Sequence, residues 1–524
     1  MKKNILMIYP EYPATYWSLK HTLKIVNKKT LMPPLGLLTV AAMLPLDYEI
    51  KLVDINVSKL KKEDILHADL IFVSAMIVQK ESFNDVVALC NALNKPVLAG
   101  GPYPSASFES ITGVDYFIIG EAENLITQFI HDYENGNPSR IYRSEIKPDI
   151  KNTPVPRYDL INVKDYGSIL IQSSRGCPYN CEFCDISVLF GSKPRQKTID
   201  QFIMELNAIY DAGFSGLINI VDDNFIGNKK LCLQLLMAIR QWQISKSFPF
   251  TFLASTSIDL AAETEILDLM AECAFTQIFI GLETPDENTL ISISKKQNVK
   301  YNILESVKII QSKGLEVLAG FIIGFDTDTE DIFNRQIKFI QESGIAVAMV
   351  GLMLVLPGTR LYKRLEKENR ILHETCGCNT HMLDLNFIPS MEKEIIIQGY
   401  LKVLGTIYSP EKYFERCLTL LSRTPDRAFK KRGIRRNDVQ SFIRSFFIQG
   451  FSGYGYLYIR FLIKSLMINP GNFPLAVILS VNGHHFFKIT REMLKMTKLE
   501  SSSVDYSDSE IVEKYELQSD NQAI

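Results

Sequence analysis

The chain has 524 residues, a formal net charge of −2 at pH 7, and 46% hydrophobic and 22% charged residues. That length exceeds what one hydrophobic core usually supports, so we expect two or three domains of a globular protein. The small net charge argues against a nucleic-acid partner, because a phosphate-binding surface needs an excess of lysine and arginine. No uninterrupted apolar run reaches the roughly 18 residues of a membrane-spanning helix.

The amino terminus and the cysteines bear on the cellular compartment. The first apolar run, which ends at Tyr9-Pro10, is too short for the core of a signal peptide and suits a first strand. Nine cysteines, an odd number, do not indicate a disulfide framework. We therefore expect a cytoplasmic protein, in which thiols stay reduced.

Residues 1–140 alternate between apolar runs and helical stretches, which predicts a doubly wound parallel sheet of Rossmann type. The predicted strands are Ile5–Tyr9, Ile50–Ile55, Leu70–Ser74, Val97–Ala99 and Tyr116–Ile119, and the predicted helices are Leu35–Leu44, Ser82–Leu93 and Glu123–Glu134. Ligands of such sheets bind beyond the carboxyl ends of the strands. Ser74, Gly100 and Gly101 are thus expected on one rim, together with Pro10–Thr15. Glycine at a rim lets the backbone approach a large flat ligand closely.

Residues 141–160 contain three prolines among charged residues and predict an exposed linker. From 161 to 365 six strands alternate with helices, which predicts an incomplete (β/α)6 barrel with its chemistry on the loops after the strands. The predicted strands are Ile169–Gln172, Leu217–Val221, Phe250–Ala254, Gln277–Gly281, Val317–Ile323 and Ala346–Leu354. The helices between them include Gln201–Asp211, Leu231–Trp242 and Ile303–Lys313.

Residues 366–498 predict an all-helical domain, because helical patterns follow one another without strands. Arg427–Arg436 is a basic run, and basic, aromatic and aliphatic residues mix from Phe442 to Lys495. Such a mixture fits a membrane-surface helix, a site for an amphiphilic anionic substrate, or an ordinary packed domain with a solvated basic face. Residues 499–524, rich in serine and acidic residues, predict a disordered acidic tail.

Three thiols, Cys177, Cys181 and Cys184, stand in a C-x3-C-x2-C frame on the loop after the first barrel strand. Three thiolates on one short loop can hold three corners of a [4Fe–4S] cluster and leave the fourth iron open for chemistry. Structural zinc is the alternative, but no further Cys or His lies in the flanking residues. Cys376, Cys378 and His381 form a second group, which is a metal site, a set of spectators or a loop near the substrate.

The cysteine frame, with Phe183 just before the last Cys, resembles the cluster motif of the radical S-adenosylmethionine (SAM) enzymes. The resemblance implies that Cys177, Cys181 and Cys184 ligate the cluster and that SAM chelates the open iron. It also implies a 5′-deoxyadenosyl radical that abstracts hydrogen from unactivated carbon, and an electron donor such as flavodoxin or ferredoxin.

Other strand-end loops carry candidate SAM contacts. Asp222 and Asp223 follow the second barrel strand and Glu283 ends the fourth; carboxylates there can accept hydrogen bonds from ribose hydroxyls and interact with the cofactor's positive charges. Capping of the helix that starts near Asn228 is an open alternative for the two aspartates. Gly320 and Gly324 flank an element that resembles the family's Gly-x-Ile-x-Gly segment, against which adenine packs.

The first domain resembles cobalamin-binding domains through Ser74-Ala75-Met76, which stands for their Ser-x-Leu turn, and through Gly100-Gly101. The loop after the first strand lacks the histidine that coordinates cobalt in many of them. We therefore expect cobalamin to bind without a histidine ligand, and we interpret His21 as a packed or surface residue. A nucleotide-binding Rossmann module is the alternative.

Together these features resemble the cobalamin-dependent radical SAM enzymes, in particular the branch with the hopanoid C-2 methylases. The resemblance implies a [4Fe–4S] cluster, SAM and cobalamin as cofactors, and methylation of an unactivated carbon in a small or lipid-like substrate. The alternatives are a cobalamin-dependent radical cyclase or rearranging enzyme and a non-catalytic cobalamin- or cluster-binding sensor. We expect at most peripheral membrane contact.

Overall fold

The computed structural model describes residues 3–375, 377, 380, 383–425 and 433–502, with side chains up to residue 495. The first domain is a parallel six-stranded sheet in the order β2-β1-β3-β4-β5-β6 with helices on both faces. Its strands are β1 (Asn4–Tyr9), β2 (Glu49–Asp54), β3 (Leu70–Ser74), β4 (Val97–Gly100), β5 (Tyr116–Ile119) and β6 (Ile141–Arg143). Its helices are α1 (Lys20–Val26), α2 (Leu35–Ala41), α3 (Lys62–His67), α4 (Lys80–Ala92), α5 (Pro102–Ser107) and α6 (Ile126–Glu134). Two apolar cores, one on each face, confirm the doubly wound arrangement.

The segment predicted as an exposed linker differs from that expectation. Ile141–Arg143 forms the edge strand β6, with Phe117 opposite Ile141. Tyr142 and Ile150 are buried, and the Pro148 carbonyl accepts a hydrogen bond from Arg195. Proline correctly indicated irregular backbone here, but apolar side chains between the prolines have packing partners in both domains.

The second domain is a partial barrel of six parallel strands in the order β14-β13-β12-β11-β10-β7, as predicted. Its strands are β7 (Ser168–Ile171), β10 (Leu217–Ile220), β11 (Thr251–Thr256), β12 (Phe275–Glu283), β13 (Glu316–Ile323) and β14 (Ala348–Leu352), and a small hairpin is made by β8 (Ser174–Arg175) and β9 (Arg195–Gln196). Its helices are α7 (Ile186–Leu189), α8 (Ile199–Asp211), α9 (Lys229–Ser245), α10 (Thr264–Glu272), α11 (Glu287–Ser292), α12 (Lys296–Val299), α13 (Ile303–Ser312), α14 (Ile332–Ser343) and α15 (Arg360–Lys367). Side-chain caps start several helices; Thr198 and Gln201 form a capping box on α8.

The described part of the C-terminal region is helical, as predicted. It comprises α16 (Lys393–Ile407), α17 (Pro410–Arg423), α18 (Arg436–Gly450), α19 (Gly455–Ile468) and α20 (Phe473–Ser502). The hydroxyls of Tyr400 and Tyr408 donate to the carbonyls of Val350 and Ala348 on the edge strand β14. The helical region therefore covers the open edge of the barrel, where unpaired backbone groups would otherwise invite other strands.

Some sequence features lie wholly or partly outside the described residues. Among them are Cys376, Cys378 and His381, most of the basic run, and the acidic tail beyond Ser502. Within the described residues, none of the helices combines the length and apolarity that crossing a bilayer requires.

Candidate active site

The loop that carries the three cysteines is held at its start by Asp222. This buried carboxylate accepts hydrogen bonds from the backbone N–H of Ser173 at 2.7 Å and from the hydroxyls of Ser173 and Ser174. Burial raises the pKa of Asp222 above its ordinary range, and the serine donors partly offset that cost. Asp222 thus anchors the loop to the end of the neighbouring strand.

Asp223 holds the next turn of the same loop. Its carboxylate accepts from the Gly176 N–H at 2.6 Å, and burial raises its pKa to about 6. Gly176 has φ +97°, and a Cβ there would lie 2.8 Å from the Gly191 carbonyl oxygen, so only glycine fits this turn. The capping alternative for the two aspartates is wrong, because Asn228 caps α9 by accepting from Leu231 N–H. A SAM contact by either aspartate stays a prediction.

The three cysteines are free thiols; Cys181 is buried, and Cys177 and Cys184 are partly buried. Burial raises the pKa of Cys184 to about 12 and also raises that of Cys177. Thiolates at these positions therefore need a positively charged partner such as the iron of a cluster. No three His, Cys, Asp or Glu side chains of the described residues are arranged to hold a single metal ion. A soft three-thiol donor set on one loop fits a [4Fe–4S] cluster.

Glu283 and Lys295 form a buried ion pair at 2.5 Å beside the cysteine loop. Glu283 follows a bulge at the end of β12 and has φ +65°, a strained conformation of a kind that concentrates at functional sites. Burial by itself lowers the pKa of Lys295, but Glu283 and the thiols of Cys181 and Cys184 raise it by more. The pKa is therefore raised overall, and the ammonium form is stabilised. The charge of Lys295 is suited to balance an anionic cluster. Nothing in the sequence around Glu283 and Lys295 indicated that these two side chains pair.

Several buried side-chain acceptors on the strand-end segments of the barrel have no partner among the described residues, as a cofactor site with a cationic ammonium group requires. Gln297 donates to the Cys181 sulfur at 3.7 Å while its own carbonyl oxygen has no partner among the described residues. The side-chain oxygens of Asn298 and Asn224 are likewise buried and unpartnered within the described chain. These acceptors fit SAM.

The glycine element after β13 borders a cavity of about 280 Å³ that Phe183 also lines. Gly324 has φ +107° and its N–H donates to Asp328, which fixes the turn. Gly320 lies against the Phe279 ring, where a Cβ would come within 3.3 Å. Phe183 and Phe325 meet edge to face at 6.3 Å. These surroundings suit a flat base, and the adenine contact of Phe183, Gly320 and Gly324 stays a prediction.

A network of buried charges joins the cysteine loop to the first domain. Arg175, two residues before the first cysteine, pairs with Glu121 and Glu123 at 2.7 Å each. Arg195 pairs with Glu121 at 2.8 Å. Sequence reasoning missed this clamp, although Glu121 and Glu123 follow the predicted strand Tyr116–Ile119 at its carboxyl end, which is the edge where functional side chains were expected.

The predicted cobalamin rim is assembled from adjacent strands. Ser74 pairs with Gly100 at the ends of β3 and β4, and Gly101 begins the turn into α5 with φ +92°. A Cβ on Gly101 would lie 2.6 Å from the Ser74 hydroxyl, whereas one on Gly100 would make only ordinary contacts. Glycine at 101 is therefore required by the turn itself. The side-chain-free rim fits a broad flat ring, and the roles of Ser74, Gly100 and Gly101 in holding it stay predictions.

The loop after β1, which lacks a histidine, is held by a hydrogen-bonded network that includes Asn56 and the Asp54 carboxylate. Tyr12 N–H donates to Asn56 at 2.8 Å, and Asn56 in turn donates to Asp54 at 2.7 Å. Tyr166, at the entrance to the barrel, donates to the other oxygen of Asp54 at 3.0 Å. His21 lies on α1 with its ring 5.3 Å from that of His485 on α20, which agrees with the interpretation of a packed residue.

Between the two rims lies the concave face of the barrel sheet. Along its strands partly exposed residues alternate with residues that are fully buried beneath the outer helices. The partly exposed set faces the interior: its apolar members are Leu170, Leu217, Leu253, Phe279, Leu318 and Ile322, and its polar members are Asn219, Ser255 and Gln277, the last of which donates to the buried Glu316 carboxylate at 2.9 Å. The first domain faces this interior, because Trp17 contacts Phe279 at 5.4 Å and the Met32 sulfur lies 3.6 Å from the Asn219 amide.

Comparisons with known proteins agree with this architecture. A family model for the radical SAM superfamily matches residues 171–340, one for the B12 binding domain matches residues 23–130, and one for a domain of unknown function (DUF4070) matches residues 359–498. An uncharacterized methyltransferase of Synechocystis sp. is 40% identical over 413 residues, which are 78% of this chain and 77% of the relative. The hopanoid C-2 methylase of Rhodopseudomonas palustris is 32% identical over 506 residues, 94% of each chain.

The structure of the cobalamin-dependent SAM radical enzyme OxsB with aqua-cobalamin bound has the same fold, with a TM-score of 0.62 at 14% identity over 97% of this chain and 82% of that one. The chain belongs to the cobalamin-dependent radical SAM methyltransferases. Its cofactors are a [4Fe–4S] cluster, SAM and cobalamin, as predicted.

Proposed function

We propose that this enzyme replaces a hydrogen on an unactivated carbon of a small, lipid-like substrate with a methyl group. The observation that carries the proposal is the mostly apolar interior between the cysteine loop and the cobalamin rim. A charged substrate would lose its hydration there without gaining ionic partners, whereas an apolar one gains from burial. The 32% identity to a hopanoid C-2 methylase, over nearly the whole of both chains, supports the same substrate class.

The cofactors, when bound, supply the hydrogen-abstracting radical and the methyl group. Within this division of labour the three cysteines hold the cluster, and Asp222 and Asp223 fix the loop that carries them. The Arg175–Glu121 clamp sets the distance between the two rims, so that a substrate in the interior lies between them. Asn219, Ser255 and Gln277 are polar interior side chains; Gln277 donates to Glu316, and we assign Asn219 and Ser255 the role of orienting a polar group of the substrate.

Anaerobic incubation tests the proposal. Reconstituted protein is mixed with SAM, cobalamin, a reductant and lipid extract, and products are compared by mass spectrometry with those of Cys184→Ala protein. Methylation predicts a new lipid that is heavier by one CH2 unit and that depends on cobalamin. Flavodoxin or ferredoxin is the electron donor we propose, and each should replace the chemical reductant.

Other outcomes of this experiment would indicate a different function. A product of unchanged or reduced hydrogen content, without added carbon, would identify a cyclase or a rearranging enzyme. Absence of 5′-deoxyadenosine from cluster-loaded protein would contradict catalysis and favour a sensor. Deuterium placed on the substrate carbon and recovered in 5′-deoxyadenosine would show directly which hydrogen is removed.

A further inference from the structure

The largest exposed apolar side chains of the C-terminal region concentrate on two consecutive helices, α18 and α19. Phe447 is 60% exposed, Phe451 83% and Tyr456 77%. Further exposed apolar residues on the same two helices are Val439, Ile443, Phe446, Ile448, Ile459, Ile463, Leu466, Met467 and Ile468. A soluble surface rarely presents so many neighbouring apolar groups without a partner that covers them.

The pattern along α19 shows that these residues form a face. Tyr458, Phe461 and Leu462 are buried toward the helical core. On the opposite side Ile459, Ile463 and Met467 are exposed, and their spacing of four residues places them on one stripe. A helix that is apolar on both sides, with one side uncovered, has a second apolar surface to bury.

The turn between the two helices forms an aromatic tip. Helix α18 ends at Gly450 and α19 begins at Gly455, with Phe451 on the connecting turn. The rings of Phe447 and Phe451 stack at 6.4 Å with an angle of 12° between their planes. Tyr456 belongs to the first turn of α19, so three exposed aromatic side chains lie at one end of the hairpin.

Basic residues stand about one helical turn behind this tip. Residues 433–478 contain five basic residues and a single acidic one, Asp438. Arg444 precedes Phe447 by three residues, and Arg460 follows Tyr456 by four. Arg460 and Lys464 are exposed, and neither makes an ion pair with another residue of the described chain. The α19 arm therefore combines an apolar stripe with exposed positive charge, whereas Arg444 on α18 is half-buried and donates to the Ile25 carbonyl at 3.4 Å.

We propose that the α18–α19 hairpin docks on the surface of an anionic lipid bilayer. Phe447, Phe451 and Tyr456 enter the boundary between headgroups and acyl chains, where aromatic side chains are favoured. Arg460 and Lys464 then lie near the lipid phosphates and gain from the negative surface potential. This inference is independent of the reaction.

A second copy of the chain is a less suitable partner for the same face. Twofold contacts bring one patch against itself. The excess of basic residues on the hairpin would then face an equal excess, and like charges across an interface are costly. A bilayer that contains acidic lipids is complementary to both the apolar and the basic part of the patch.

Vesicle co-sedimentation of the full-length holoprotein tests the proposal. We expect binding to phosphatidylcholine vesicles that contain phosphatidylglycerol, weaker binding to phosphatidylcholine alone, and a loss of binding as salt rises. The tip variant Phe447→Ser/Phe451→Ser/Tyr456→Ser should bind anionic vesicles about tenfold more weakly or worse. The charge variant Arg460→Gln/Lys464→Gln should lose most of the preference for anionic lipid.

A matched control removes three exposed apolar side chains elsewhere, with Leu46→Ser, Met204→Ser and Ile244→Ser, and should bind vesicles like the parent protein. Circular dichroism and SAM cleavage should be unchanged in the tip variant, since its residues lie far along the chain from the cysteine loop. Equal vesicle binding by the parent and the tip variant would overturn the proposal. So would a concentration-dependent dimer that the tip variant abolishes, if the parent protein does not bind vesicles.

Discussion

The rim of the barrel and the rim of the first domain, which enclose the reaction space, are stabilised by different kinds of groups. The barrel rim is held by charged groups: Asp222 and Asp223 fix the cysteine loop, and Glu283 pairs with Lys295 beside it. The rim of the first domain is held by backbone conformation at Gly101 and by a hydrogen-bonded network around Asn56 and Asp54, and its carboxylates Glu121 and Glu123 pair with the barrel. A rim that binds an iron–sulfur cluster and a charged cofactor needs matched charges, whereas a rim that binds a broad ring needs open backbone.

The first prediction, which has the largest expected effect, concerns the three cysteines on the barrel rim. Cys177→Ala, Cys181→Ala and Cys184→Ala should each abolish SAM cleavage, because a cluster that lacks a ligand is not retained. The parent protein should contain about four iron atoms per chain, measured by colorimetric iron assay under anaerobic conditions. Cys90→Ala, which removes a buried thiol of the first domain, is the control with unchanged iron. Full 5′-deoxyadenosine yield from any of the three variants would refute the ligand assignment.

The second prediction concerns the open rim of the first domain. Gly101→Val places a branched side chain at φ +92° against Ser74 and should remove cobalamin binding, followed by the visible spectrum of the bound corrinoid. Gly113→Val is a matched control: Gly113 has φ +76° and a Cβ would meet the Asn91 side chain, but it lies at the amino end of β5, away from the rim. Cobalamin uptake by both variants, or by neither, would contradict the assignment of Gly101 to the cobalamin-binding rim.

The third prediction targets the clamp between the two rims. Glu121→Gln removes the carboxylate that pairs with Arg195 and leaves Arg175 with Glu123 alone, in a buried setting, and should lower the free energy of unfolding by about 3 kcal/mol. Glu123→Gln should cost less, because Arg175 keeps Glu121. Denaturant titration of the apoprotein measures both. Equal losses for the two variants would show that Glu121 does not join the domains.

The fourth prediction separates a cofactor contact from an ion pair. Glu283→Gln should weaken SAM binding by about 1.5–3 kcal/mol, the range for a hydrogen bond to a charged group, and leave iron content intact. Because the substitution also orphans Lys295, the double variant Glu283→Gln/Lys295→Gln is needed. If equilibrium dialysis with labelled SAM shows that the double variant recovers parent affinity, Glu283 acts only through Lys295.

The fifth prediction, the smallest, follows from the neutral groups at the first rim. His485 on α20 donates to the Thr15 carbonyl at 2.9 Å; burial, together with the nearby His21, lowers its pKa from 6.5 to about 4, and burial and Lys488 lower that of His484 similarly. The unfolded chain therefore binds more protons between pH 6.5 and 4, so stability is full above that window and falls as the pH drops. We expect His485 alone to contribute a loss of about 2 kcal/mol from pH 7 to pH 5. His485→Gln should flatten this dependence in urea titrations, and an unchanged slope would contradict the account.

The sequence by itself determined the order of the domains and the strands, because hydrophobic periodicity and turn residues are local signals. The same held for the cysteine motif, since ligands on one short loop are close in space whatever the fold around them. The sequence was misleading at residues 141–143, where a proline-rich segment conceals a short edge strand, and it left the roles of Asp222 and Asp223 open.

Only the tertiary structure decided the pairings between distant residues. Glu121 meets Arg175 across the domain boundary, Lys295 meets Glu283 across a bulge, and Tyr408 covers the edge of β14 from the helical region. No local pattern encodes these contacts, because each depends on how two elements pack. The exposed apolar face of α18 and α19 is a further example. The sequence shows the apolar stripe, but only the packing of the rest of the chain determines whether that stripe is buried.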